Sequence, residues 1–167
     1  MNSKALALCT SLAFAAGTPM ATSQTAVTDP AQFAQMAASS DMFEIQSSEL
    51  ALEMSQDEEI RAFAEQMIED HTEASQMMMA AAETDGVAPP AGMMEKHQIE
   101  LEQLQAAGED GFDAAYIAAQ TTGHEEAVAL FESFSTQGEE SALRSFATET
   151  LPGLQEHLQE VQGLQET

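Results

Sequence analysis

The sequence predicts an all-α protein: a four-helix bundle made of two αα-hairpins, with a short extra helix between them. Three observations lead there. Apolar residues return every three or four positions through four long stretches, the spacing of a helix with one buried stripe. No stretch alternates with period two, so no strand is expected. Glycine, proline and acidic turn residues divide the chain at 55–59, 84–90, 108–111 and 136–140.

The 167-residue chain has room for one ordinary domain, but its first stretch reads as something else. Lys4 precedes the apolar run ALALCTSLAFAAG (5–17), which is too short to span a membrane. The small residues of ATS (21–23) place a cleavage after Ser23, so 1–23 reads as a signal peptide. The polar TSQTAVTDP that follows argues against a hydrophobic first helix of the domain. Residues 24–29 are then a linker, the bundle spans 30–165, and the expected location is periplasmic or secreted.

Asp29 and Pro30 form an N-cap and a first-turn proline, opening a helix over about 30–55. Its stripe is Phe33, Ala37, Ser40, Glu44, Ser47, Ala51 and Met54. SQDEE (55–59) is a turn that resembles a capping box. The second helix runs to about Glu83 with Ile60, Ala64, Met67, His71, Ala74, Met78 and Ala81 on one face. An imidazole therefore stands where the pattern asks for an apolar residue. TDGVAPP (84–90) breaks the chain, and a short helix follows over about 91–107 with Met94, Ile99, Leu101 and Leu104. The third long helix covers about 111–136, carrying Phe112, Tyr116, Ile117, Val128, Leu130, Phe131 and Phe134. The fourth carries Leu143, Ala147, Thr150, Leu154, His157, Val161 and Leu164, with Pro152 expected to kink it.

IRAFA (60–64) and LRSFA (143–147) both open the second helix of a hairpin and contain the only arginines, Arg61 and Arg144. Each arginine is expected to meet a carboxylate near its turn. Two related hairpins joined by one long crossover make the second and third long helices parallel, which is the ferritin-like arrangement.

Charge and cysteine content narrow the function. Cys9 lies in the leader, so the mature chain has no disulfide, thiolate metal site or cysteine nucleophile. The formal net charge of −25 becomes −26 when Lys4 leaves with the leader. Such a surface repels phosphate backbones and anionic lipid, so nucleic acid is not an expected partner. No mature segment is long and apolar enough for membrane insertion. The acidity fits a solvated surface, or loose attraction of cations. No Gly-x-Ser-x-Gly elbow or phosphate-cradling glycine loop is present, so no catalytic or organic-cofactor residues are assigned.

The four histidines fall on four different helices: His71, His97, His124 and His157. Glu44 lies 12 residues before, and His71 15 after, the first turn near 56. Counted from the opposite end, His124 reaches the same depth and His157 falls about one turn away, at ~1.5 Å rise per residue. One carboxylate and three imidazoles can thus converge inside the bundle, a donor set suited to iron, zinc or copper. The Glu-x-x-His pairs of a di-iron centre are missing, because positions 68 and 154 are Ile and Leu. The competing reading is a set of core histidines bonded to Glu44 and backbone carbonyls. Gly123 and Gly153, in mid-helix beside the histidines, suggest close approach by something there. A secondary candidate is methionine-rich: Met78, Met94 and His97 flank one turn and offer thioethers and an imidazole suited to Cu(I). Flexible core filling explains the same methionines.

The stretches DMFEIQSSELALEMS (41–55), IRAFAEQMIEDHTEAS (60–75), DAAYIAAQTTGHEEAVALFE (113–132) and LRSFATETLPGLQEHL (143–158) resemble one family of exported bacterial proteins. It is the family called domain of unknown function 4142, whose members often carry an outer-membrane label. The resemblance covers about 30–160. It implies a ferritin-like bundle in the periplasm or cell envelope with no assigned activity. Family positions matched here are Glu44, Asp70, His71, His97, Tyr116, His124 and His157, whereas Gly123 stands where the family usually has Asp.

Two functions are therefore open. One is an exported bundle that binds a transition-metal ion through Glu44, His71, His124 and His157, in metal handling or stress protection. The other is a non-catalytic envelope protein with structural histidines, whose partner is an envelope protein or a second copy of itself.

Overall fold

A computed structural model describes residues 26–88 and 92–165. The leader expected over 1–23 and its expected cleavage position lie outside these residues. The described part contains five helices and no strand: α1 Pro30–Met54, α2 Glu58–Thr84, α3 Glu95–Ala106, α4 Phe112–Gln137 and α5 Ala142–Leu164.

Local chemistry explains most of the helix starts. Asp29 accepts a hydrogen bond from Gln32 N at 2.8 Å, with Pro30 in the first turn. Asp57 accepts from Glu59 N and Ile60 N, and Ser141 accepts from Arg144 N. Asp85, just past α2, accepts from Ala142 N (2.9 Å) and Leu143 N (2.8 Å), so it caps α5 from a different helix. Gly86, at φ 69°, allows the left-handed turn that ends α2. α5 passes through Pro152 as one continuous helix.

These ties fix the topology. The end of α2 meets the start of α5, and Phe33 near the start of α1 stacks on Phe134 near the end of α4 at 4.1 Å. So α2 and α4 run parallel, and the crossover carrying α3 packs on α1 and α4. The connectivity is that of a ferritin-like bundle. The arginines differ from expectation. Arg61 donates to the carbonyls of Leu52 (2.6 Å) and Ser55 (3.1 Å), and Arg144 Nε donates to the carbonyl of Ser135 (2.8 Å). Both reach back nine residues to carbonyls left free where the preceding helix ends. Among the described residues a carboxylate comes near only at Arg144, where exposed Glu140 stands 3.9 Å away.

The core has two apolar parts. One gathers Phe33, Met78, Phe131, Phe134 and Phe146 at the end where α1 begins. The other gathers Phe63, Met67, Phe112, Tyr116 and Val161 at the opposite end. Between them is a buried polar layer that includes Asp41, Glu44, His71, Gln120, His124 and His157.

Candidate metal centre

Three helices each deliver one imidazole to that layer. On α2, His71 continues the buried stripe of Ile60, Ala64 and Met67. On α4, His124 follows Tyr116 and Gln120; on α5, His157 stands between Leu154 and Val161. Helical spacing alone turns all three inward. The ring centroids form a near-equilateral triangle: 5.6 Å for His71–His124, 5.7 Å for His71–His157 and 5.5 Å for His124–His157. One ring nitrogen from each lies within 4.8 Å of the other two. The residues are 3, 0 and 8% exposed, so water has little access to them.

Outer partners fix each ring. His71 Nδ1 lies 2.9 Å from Asp41 Oδ1, and Ser75 donates to the second Asp41 oxygen at 3.1 Å. His124 Nδ1 lies 2.9 Å from the carbonyl of Gln120. His157 Nε2 lies 2.9 Å from Asp70 Oδ2. Carboxylates and carbonyls only accept, so in each pair the ring N–H points outward. The remaining nitrogens, Nε2 of His71, Nε2 of His124 and Nδ1 of His157, are buried and make no hydrogen bond. In the neutral rings these are lone pairs, and a metal-ligating histidine is normally oriented by such an acceptor on its other nitrogen.

The titration behaviour follows from this crowding. Burial, reinforced by the charges of His71 and His157, pushes His124 down to about 3. Burial and His71 also lower His157, against the pull of Asp70. Burial opposes a proton on His71, but the Asp41 hydrogen bond and the charges of Asp41, Glu44 and Asp70 outweigh it and raise His71. Burial lifts Glu44 to about 7, with His71 pulling the other way. The field at the trio therefore favours one positive charge and rejects several protons.

The family described as Domain of unknown function (DUF4142) matches residues 15–164. The chain belongs to the DUF4142 family. No curated protein matches this DUF4142 chain. Among solved structures, "CopM in the Cu(II)-bound form" is similar, with a TM-score of 0.67 and 19% identity over 81% of this chain and 94% of that one. At that identity the likeness is one of fold.

The DUF4142 bundle places the other candidate residues differently. Glu44 is buried beside the trio: its Oε1 lies 3.8 Å from His124 Nδ1, on the ring's outward side, and Oε2 has no partner. It is not among the side chains that meet within 4.8 Å. A Cβ at position 123 would stand 2.7 Å from Glu44 Oε1, which accounts for Gly123, whereas nothing lies within 4 Å of a Cβ at 153. Met78 is buried in the apolar part near Phe33, while Met94 is 40% exposed at the start of α3. His97 Nδ1 pairs with Ser39 Oγ at 2.6 Å, and its ring stacks on Phe43. Met94 and His97 share a small pocket of about 100 Å3 with Met36, without Met78. Sequence reasoning missed Asp41 and Gln120. A stripe through Ala37, Asp41 and Glu44 has the same 3–4 spacing as the one through Ser40, so the spacing contained the signal without selecting it.

Proposed function

We propose that this DUF4142 protein is an exported metal-handling bundle that binds one transition-metal ion through His71, His124 and His157, with a fourth coordination position left for an exogenous ligand. The observation that carries the reading is the set of three buried, unpartnered ring nitrogens, each oriented by an acceptor on the opposite side of its ring. A structural histidine gains from its hydrogen bonds, but an orphaned buried polar atom costs roughly 1–3 kcal/mol. Three of them sharing one spot are explained by a cation that accepts all three lone pairs. The 4.8 Å spread is not far above the separation of about 3.4 Å that imidazole nitrogens have around a tetrahedral ion at ~2.0–2.1 Å bond lengths. Three imidazoles and an open position suit copper or zinc, and Cu(II) binds such donors most tightly in the divalent series. The similar protein CopM is described in a Cu(II)-bound form, which agrees with this choice. Asp41 and Asp70 supply negative charge beside the ion, and the leader expected from the sequence fits a place in the cell envelope.

The test is elemental analysis of protein purified without a histidine tag, before and after loading with Fe, Cu and Zn. We expect one ion per chain, lost in a His71→Ala, His124→Ala double variant. No bound metal after loading would leave the three rings as structural groups of an envelope interaction protein.

A further inference from the structure

We infer that the pocket between α2 and α5 is the port by which a cation reaches the imidazole trio, with Gly153 setting its aperture and Glu73, Glu149 and Glu156 forming a capturing rim. This rests on the metal-binding reading above and adds the path and the residues that control it.

The pocket has a volume of about 300 Å3, and His71 and His157 line it. The His71 side chain is 3% exposed and that of His157 10%, and each has one buried ring nitrogen without a partner. Asp41 and Asp70, which orient these two rings, line the same pocket. Glu73, Glu149 and Glu156 line it as exposed residues. Among the described residues no lysine or arginine lines it, so apart from the two histidines every ionisable side chain along it is a carboxylate. A cleft lined by one sign of charge raises the local concentration of the opposite ion and its rate of arrival.

Gly153 controls the width. It lies in the middle of α5, where glycine costs ~1 kcal/mol relative to alanine. No neighbour requires the glycine, because a Cβ there would meet nothing within 4 Å. It lines the pocket four residues before His157, about one turn along the helix. A side chain at 153 would stand in the port. The α4 side differs: Glu44 Oε1 fills the space beside Gly123, and the groove outside is lined by Lys96, which pairs with Glu100 and Glu126.

Stopped-flow uptake and release of Cu(II) by the full chain tests the port. Gly153→Leu should slow association and dissociation by a common factor of about ten or more, the effect of adding at least ~1.4 kcal/mol to one barrier shared by both directions. A Glu73→Gln, Glu149→Gln, Glu156→Gln variant should lower the association rate about tenfold at low salt and flatten its dependence on ionic strength. Circular dichroism establishes folding, and the triple-glutamine variant decides the matter alone if Gly153→Leu does not fold. Wild-type loading rates in the variants, with Cu(II) binding still lost in His71→Ala, His124→Ala, would overturn the port and leave the centre standing. Absence of Cu(II) binding by the wild type would overturn both.

Discussion

Asp41 and Asp70 never meet the proposed ion, yet they determine which nitrogen of His71 and of His157 faces it. Replacing Asp41 with alanine should weaken metal affinity by about 10–100-fold while one ion per chain still binds, as read by competition titration. Gly123 supports a second prediction. Glu44 sits at the end of a long side chain but is fully enclosed, so an added methyl 2.7 Å from its Oε1 forces a shift. Gly123→Ala should destabilise the wild type, yet stabilise a Glu44→Ala background by about 1 kcal/mol through helix propensity. Urea unfolding of the four proteins measures the coupling, expected at roughly 1–3 kcal/mol, and additive effects would refute the contact. At this scale the histidines were legible because an imidazole on an apolar stripe breaks a regular pattern. Asp41 was not, because several stripes on α1 satisfy the same spacing and only the position of His71 distinguishes them. Asp70 was visible through the family resemblance alone, since its carboxylate is 44% exposed and no periodicity marks it.

Among the elements, the boundaries of the four long helices were the most legible part, whereas the short helix expected from about 91 begins at Glu95. The turn residues near 56, 86, 108 and 138 fall where helices stop, and Asp29, Asp57 and Ser141 cap where short polar residues precede an apolar stripe. What the sequence could not reveal was the trans cap, because Asp85 and α5 are 57 residues apart in the chain. Asp85→Ala should cost about 1 kcal/mol at neutral pH, as loss of an N-cap does. Burial would raise the Asp85 carboxyl, but the N–H groups of Leu143 and Ala142 outweigh it and lower the group. A lowered folded-state value means the stability is present above the unfolded value near 3.8 and disappears as pH falls through the folded value. The difference in Tm between wild type and variant should therefore shrink on acidification below about pH 4. A difference that stays constant down to pH 2 would show that the carboxylate charge plays no part.

At the scale of the whole molecule, one ion should stabilise the fold by mass action. Cu(II) or Zn(II) at a hundred times its dissociation constant adds about 2.7 kcal/mol, and a domain of this size gains roughly 2–4 °C in Tm per kcal/mol. Calorimetry should show that shift, its reversal by chelator, and its absence in His71→Ala, His124→Ala. The ferritin-like connectivity was legible because the hairpin repeat and the long crossover leave few alternatives. The division of the core was not, since a list of stripes does not show that every helix places its polar residues at one height. That division has a practical consequence. Each half of the bundle carries its own aromatic packing, so both ends are held without help from the polar waist between them. A zinc finger collapses when stripped of its ion; a bundle clamped at its two ends would keep its shape whether the proposed ion is bound or absent.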